Sequence, residues 1–171
     1  ASIGASVGTN APVISINGDG GFQMNIQELQ TIKHYNLPVK IFILNNQCYG
    51  IIKQFQDAYF GSRYTASDQN DYSAPDFCEI AKAYGIETVR ATKENYKEVT
   101  EYALATSAPI LVDVVIDKEQ KLRPKLEFGN PLEDMSPYMN QSDIKENMLI
   151  EPVPRNEKAG EWVNLADEME K

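Results

Sequence analysis

Apolar residues along this chain gather into short, branched runs separated by longer stretches of helical periodicity. Pro12 to Asn17 and Val39 to Leu44 are two such runs, each flanked by turn residues, and both have the look of strands buried on both faces of a parallel sheet. Glu87 to Ala91 is a brief third run. Ile110 to Ile116 is the strongest, interrupted only by Asp113. Between the runs, Phe22, Ile26, Leu29 and Ile32 recur at helical spacing, which predicts one amphipathic helix from Gly21 to about Tyr35. Further helices are predicted from Tyr49 to about Gln56, from Asp76 to Tyr84 with Gly85 as the stop, and from Lys93 to Ser107. Ala1 to Gly8 reads as the last turns of a helix closed by Gly8, so the chain is expected to start in mid-element.

Strands alternating with helices imply an α/β fold, a doubly wound, mainly parallel sheet with helices on both faces. Ligands in such sheets bind at the carboxyl ends of the strands. Gly61 to Ser73 is polar and aperiodic, a loop long enough to carry function. From Lys118 on, Pro124, Pro131, Pro137, Pro152 and Pro154 break any long element. The expected organisation is therefore a ligand-binding domain over residues 1–117 and a Pro-rich, charged, extended C-terminal tail over 118–171 that wraps a neighbour.

Charge and cysteine usage narrow the partners. The 171 residues carry a net charge of −9 with a pI near 4.6, and no Lys/Arg-rich run interleaves with aromatics, so a nucleic-acid backbone would be repelled. The apolar runs are of strand length, far short of the ~20 residues of a membrane span, and no signal-like N-terminus is present, so neither a membrane nor secretion is expected. Cys48 and Cys78 are the only cysteines and have no metal-binding spacing. They fit a reducing, cytoplasmic setting better than a disulfide scaffold. His34, the one histidine, falls at the end of the first long helix, where it suits the helix dipole. A histidine-rich metal site is excluded.

The candidate chemistry sits at two strand ends. Gly18-Asp19-Gly20-Gly21 follows the first apolar run, and Asn45-Asn46 closes the second, with Gly50 just beyond. Asp19 and Asn46 lie 27 positions apart. Asp19 offers a hard anionic oxygen and Asn46 a neutral one, which suits Mg2+, an ion that takes few protein ligands and shares its shell with phosphate and water. The glycines allow close backbone approach to phosphates. Alone, a Gly-Asp-Gly tripeptide is common turn chemistry; paired with the asparagines at two strand ends it describes a site for a metal-bound diphosphate. A two-metal phosphatase would need more carboxylates than the lone Asp19.

Gly18-Asp19-Gly20 followed by Asn45-Asn46 resembles the cofactor motif of thiamine diphosphate enzymes. Gly21-Phe22-Gln23-Met24-Asn25-Ile26-Gln27-Glu28-Leu29-Gln30-Thr31, Asn36-Leu37-Pro38-Val39-Lys40 and Ala74-Pro75-Asp76-Phe77 are similar to the acetolactate (acetohydroxyacid) synthase group. The likeness covers residues 1–117. It implies a thiamine diphosphate-binding fold in which Asp19, Asn46 and the backbone carbonyl of Cys48 are the Mg2+ ligands. Gly18, Gly20, Gly21, Gly50 and Ile51 would line the cofactor. The Cys48 thiol is then a spectator, since that slot uses main-chain oxygen. Phe55 falls where the family commonly carries a tryptophan at the mouth of its substrate channel, a departure that leaves the substrate open.

The resemblance also implies what the chain cannot do by itself. In this family the cofactor's carbanion chemistry decarboxylates pyruvate or another 2-oxo acid and joins the remainder to a second carbonyl. The activating glutamate comes from a pyrimidine-binding domain on a second subunit, so no catalytic residue is assigned here. The chain is expected to be the C-terminal cofactor-binding domain of a longer enzyme, a homodimer or homotetramer, with FAD possible in a middle domain that is missing. The sequence Leu126-Glu127-Phe128-Gly129-Asn130-Pro131-Leu132-Glu133-Asp134-Met135 is more similar to thiamine-dependent proteins of sugar or secondary biosynthesis, which keeps a different acceptor open. A non-catalytic split-subunit module that docks on a separate pyrimidine-binding domain is the further alternative.

Overall fold

The computed structural model describes residues 1–68 and 70–156. The part of the expected tail beyond residue 156 lies outside the described residues. In chain order the elements are α1 (Ser2–Thr9), β1 (Val13–Gly18), α2 (Asp19–Gln23), α3 (Glu28–His34), β2 (Val39–Asn45), α4 (Gly50–Tyr59), α5 (Phe77–Ala83), β3 (Glu87–Ala91), α6 (Tyr96–Ala105), β4 (Ile110–Val115) and α7 (Gln141–Asn147). Two compact units divide them. Ala1–Gly50 with Thr65–Gln120 forms the first, and Ile51–Tyr64 with the chain from Lys121 onward forms the second.

The first unit is built on a four-stranded, wholly parallel sheet in the order β1-β2-β4-β3. Leu29 and Ile32 of α3 and Phe77 and Ala81 of α5 pack with Ile41, Ile43 and Leu111 of the sheet on one face. Burying each large side chain of this set contributes about 1.5–3 kcal/mol. On the other face, Ala103 of α6 packs with Ala91, Ile110 and Val112. Lys40 is buried within β2, and its Nζ donates to the carbonyls of Thr106 and Ala108 just past α6. Burial pushes the Lys40 ammonium below its usual range, with Glu87 acting in the opposite direction.

Three local expectations need correction. The helix anticipated from Gly21 to Tyr35 starts two residues earlier and is broken into α2 and α3. Asn25 in the connection and Glu28, Leu29 and Gln30 at the start of α3 donate to the residue three positions back, at 3.1–3.2 Å, so the chain tightens through a 3₁₀-like turn. The strand β1 was expected to be covered on both faces, yet Ile14 is 55% and Ile16 66% exposed. It is the sheet edge, and α1 packs on its opposite side, where Ser2 Oγ donates to Ser15 Oγ at 2.9 Å. The first helix ends not at Gly8 but through Asn10, which takes the left-handed conformation (φ 51°) and donates its N–H to Ser6. A smaller shift affects α6, which begins at Tyr96 because Asn95 Oδ1 accepts from the Thr92 N–H at 2.7 Å and holds a turn ahead of it.

In the second unit, Phe55, Tyr59 and Phe128 form an aromatic cluster with ring centroids 4.8–5.1 Å apart. Lys125 and Ser136 exchange both backbone hydrogen bonds at 2.8 Å. The chain then passes through α7 and returns so that Arg155 Nη2 donates to the buried Asp134 at 2.7 Å. Arg155 holds the Asp134 carboxyl below its usual range. Apart from α7, the described residues after Lys121 contain no helix or ladder strand.

Candidate functional site

Parallel pairing explains why two motifs so far apart in sequence meet. Gly18, the last residue of β1, is in register with Leu44 of β2. Neighbouring strands lie about 4.8 Å apart, so Asp19 and Asn45 leave the sheet side by side at its carboxyl edge.

Asp19 opens α2 and is 2% exposed. The Gly20 N–H donates to Asp19 Oδ1 at 2.7 Å, while Oδ2 is buried with no hydrogen-bond partner among the described residues. Burial pushes the carboxyl above its ordinary value; the Gly20, Gln47 and Cys48 amides and the Tyr72 hydroxyl, which face it, pull the other way. Among the described residues none of these groups hydrogen-bonds Oδ2. Groups from the second loop thus bear directly on the carboxylate of the first. A buried anion with a free oxygen is costly unless a cation compensates it.

The second loop is tightly specified. Asn45 is buried, and its Nδ2 donates to Asp113 Oδ1 at 2.9 Å. Asn45 Oδ1 accepts from Gln47 Nε2 at 2.8 Å and from the Gln47 N–H at 3.3 Å. Gln47 takes a left-handed conformation, φ 56°. Asn46 Oδ1 accepts weakly from the Cys48 N–H at 3.4 Å. The Cys48 thiol is buried, 3.9 Å from the Lys118 carbonyl, so this residue presents its backbone to the site. Its carbonyl accepts the Gly50 N–H at 3.0 Å.

Two glycines mark close approaches. A Cβ on Gly20 would stand 2.2 Å from the Tyr49 ring, and one on Gly50 would stand 2.6 Å from Asn46 Nδ2. Tyr49 itself packs at a tilt of 57° against Tyr72, with ring centroids 4.5 Å apart. Tyr72 accepts from Gln23 Nε2 at 3.2 Å. Burial, with the adjacent Asp19 charge, pushes the Tyr72 hydroxyl well above its usual range. These side chains border an open hollow of about 500 Å³ lined by Gly20, Gln23, Tyr49 and Tyr72.

Of the residues singled out from sequence, Gly18, Asp19, Gly20, Gly21, Asn46, Cys48 and Gly50 lie on these two adjoining loops of the first unit. Ile51 belongs to the second unit, where it is exposed and lines an apolar cavity of about 260 Å³ with Phe55, Tyr59 and Phe128. His34 ends α3 and is exposed. Tyr49 and Tyr72 were not anticipated as contributors, and Asn45, read as half of the asparagine pair, was given no role of its own. The glycine at position 20 was the one available signal for Tyr49, whose ring a Cβ there would meet. Among the described residues no cluster of three or more His, Cys, Asp or Glu side chains is arranged to hold a metal. A cation at Asp19 would therefore share its shell with a ligand's own oxygens. No helix of the described residues is long and apolar enough to cross a membrane.

The chain is similar to known proteins in sequence and in fold. The family described as thiamine pyrophosphate enzyme, C-terminal TPP binding domain, matches residues 1–114. The acetolactate synthase large subunit of Cyanidium caldarium is 39% identical over 131 residues, covering 75% of this chain and 22% of that protein. The probable acetolactate synthase large subunit of Methanocaldococcus jannaschii is 42% identical over 124 residues, covering 71% and 21% respectively. Among solved structures, a thiamine diphosphate-dependent 4-hydroxybenzoylformate decarboxylase from Rhodococcus jostii aligns with a TM-score of 0.59 and 31% identity, over 68% of this chain and 22% of that one. The chain thus spans about a fifth of the length of these relatives.

Proposed function

Because the chain belongs to the thiamine pyrophosphate enzyme family, as a C-terminal TPP-binding domain of the acetolactate synthase-like kind, we propose that Asp19, Asn46 and the Cys48 carbonyl bind Mg2+. That ion would carry the diphosphate of thiamine diphosphate. The observation that carries this reading is the buried Oδ2 of Asp19, an anionic oxygen that fits a cation and that has no hydrogen-bond partner among the described residues. Gly18, Gly20, Gly21 and Gly50 keep the backbone open along the same edge. The close packing of Gly20 under Tyr49 supports that role by binding the two loops into one surface.

When bound, thiamine diphosphate supplies the stabilised carbanion needed to cleave a 2-oxo acid and join what remains to a carbonyl. The residues of this chain bind and orient; none is assigned to proton transfer. We place residues 1–117 as the cofactor-binding domain and 118–171 as a charged C-terminal segment. The working enzyme is a longer protein whose pyrimidine-binding domain comes from a second subunit, in a homodimer or homotetramer. Its substrate is pyruvate or another 2-oxo acid, its setting is cytoplasmic, and any FAD is held outside this chain. The two free cysteines, both buried, are compatible with a reducing compartment.

Titration calorimetry of the full chain with thiamine diphosphate, with and without Mg2+, tests the reading. Binding should require Mg2+, and Asp19→Ala should abolish it. Metal-independent binding, or an unaffected variant, overturns the ligand set.

A further inference from the structure

We infer that Asp113 is a positioning residue for the Mg2+-binding loop, acting through Asn45 and Gln47; this rests on the proposed function above. The contact that carries it is the Asn45 Nδ2 to Asp113 Oδ1 hydrogen bond, buried at both ends.

A carboxylate in the middle of the apolar strand β4 is expensive to bury, so its partners indicate what it is for. Asp113 is 1% exposed and pairs with Ile43 across the β2–β4 ladder, which puts it on the same sheet face as Asn45, two residues further along β2. One of its oxygens takes the Arg90 Nε–H at 3.0 Å, and the other takes the Asn45 amide. An ionised carboxylate only accepts, so it dictates which way the Asn45 amide faces: Nδ2 toward Asp113 and Oδ1 toward the loop. Asn45 Oδ1 is thereby fixed as the acceptor for both the side chain and the backbone N–H of Gln47. Gln47 sits between Asn46 and Cys48 with φ 56°, a conformation uncommon in a non-glycine residue. Its backbone angle sets the directions of the Asn46 side chain and the Cys48 carbonyl. On the far side, the Ile116 N–H donates to the Asn45 carbonyl at 2.9 Å and closes the frame.

Arg90 makes a discriminating test possible. Asparagine at 113 has one acceptor oxygen for two donors, Arg90 and Asn45, so it can serve only one of them. Removing the competing donor should hand that oxygen back to Asn45. We would measure the Mg2+ concentration for half-maximal thiamine diphosphate binding by calorimetry on the full chain, with a melting curve for every variant. Asp113→Asn is expected to raise it several-fold and Asp113→Leu about tenfold or more, in the range of other outer-sphere supports of metal sites. Arg90→Met added to Asp113→Asn should bring it back near wild type, while the melting temperature falls further because Arg90 also pairs with Asp76 at 3.1 Å. The same change added to Asp113→Leu should restore nothing. A purely structural carboxylate would instead make affinity follow the melting temperature, with no recovery in the Arg90→Met double variant, and that result overturns the inference. So does wild-type affinity in Asp113→Leu when Asp19→Ala has lost binding. If unmodified protein shows no Mg2+-dependent binding, the proposed function falls and takes this inference with it. Should Asp113→Leu fail to fold, Asn45→Ser carries the test, with the same loss expected and the same retention overturning.

Discussion

The turn after β1 and the loop after β2 leave the sheet at the same level, yet they are satisfied in opposite ways. Around Asp19 one carboxylate oxygen accepts the Gly20 N–H, and the other is buried with no hydrogen-bond partner among the described residues. Around Asn45 to Cys48, side-chain and backbone groups from β4 and from the loop itself take up Asn45 on both sides of its amide. The first region contributes charge and is incomplete; the second contributes geometry and is closed on itself. A site divided in this manner can hold its shape without ligand, because the costly element is confined to one side chain while the directing hydrogen bonds lie in the other loop.

The largest effect should come from neutralising the incomplete side. Asp19→Asn keeps the shape but removes the charge, and Mg2+-dependent thiamine diphosphate affinity is expected to drop by roughly a hundredfold or more, beyond the 10–100-fold typical of supporting residues. Ligand-free stability should move the other way or not at all. A neutral amide costs less to bury than an unpaired carboxylate, so the gain could reach about 2 kcal/mol. Calorimetry and urea unfolding on the same preparation measure the two signs. Retained binding with reduced stability would mean that Asp19 is a structural carboxylate and that the contrast between the loops is false.

The seam between the regions is the next point to break. Gly20→Ala places a Cβ 2.2 Å from Tyr49, and that ring also packs against Tyr72, so it cannot swing aside without losing a partner. Overpacking of this kind costs about 1–3 kcal/mol. Tyr49→Ala in the same chain should remove most of that cost, and a double-mutant cycle by chemical denaturation would show coupling of matching size. Additive effects would separate the loops and remove the reason for reading them as one surface.

Much of this was legible in sequence because it is local. The apolar runs at Val39 to Leu44 and Ile110 to Ile116 became β2 and β4 with bounds shifted by one residue, and the Gly-Asp-Gly and Asn-Asn motifs mark strand ends whatever the topology. The helix expected from Asp76 became α5, with Asp76 as its N-cap and not its first residue: Oδ1 accepts from the Glu79 N–H at 3.1 Å. What could not be read depends on neighbours distant in the chain. Ile14 and Ile16 look like core until β1 is known to be an edge strand. Asp113 reads as a lone interruption of a strand until β4 is placed beside β2, which brings Asn45 to it across 68 positions. The break between α2 and α3 was hidden for another reason: Phe22, Ile26, Leu29 and Ile32 keep helical spacing through a turn, so periodicity alone does not register it.

The smallest prediction asks whether the charge of the incomplete loop is special or whether any nearby carboxylate would serve. Glu28 is the next acidic residue along the chain, an exposed side chain in the first turn of α3 whose Oε2 accepts from Thr31 Oγ1 at 3.0 Å. At that position an acid interacts favourably with the helix dipole, worth about 0.3–1 kcal/mol at low ionic strength and less in salt. Glu28→Gln should therefore lower unfolding stability by no more than that, with the difference fading as salt is added, and should leave the Mg2+ requirement for thiamine diphosphate unchanged. The measurement is a pair of denaturation curves at low and high salt beside one calorimetric titration. A loss of Mg2+-dependent affinity in this variant would show that the field at the site is shared among several acids, and the sharp division between a charged loop and a shaping loop would have to be given up.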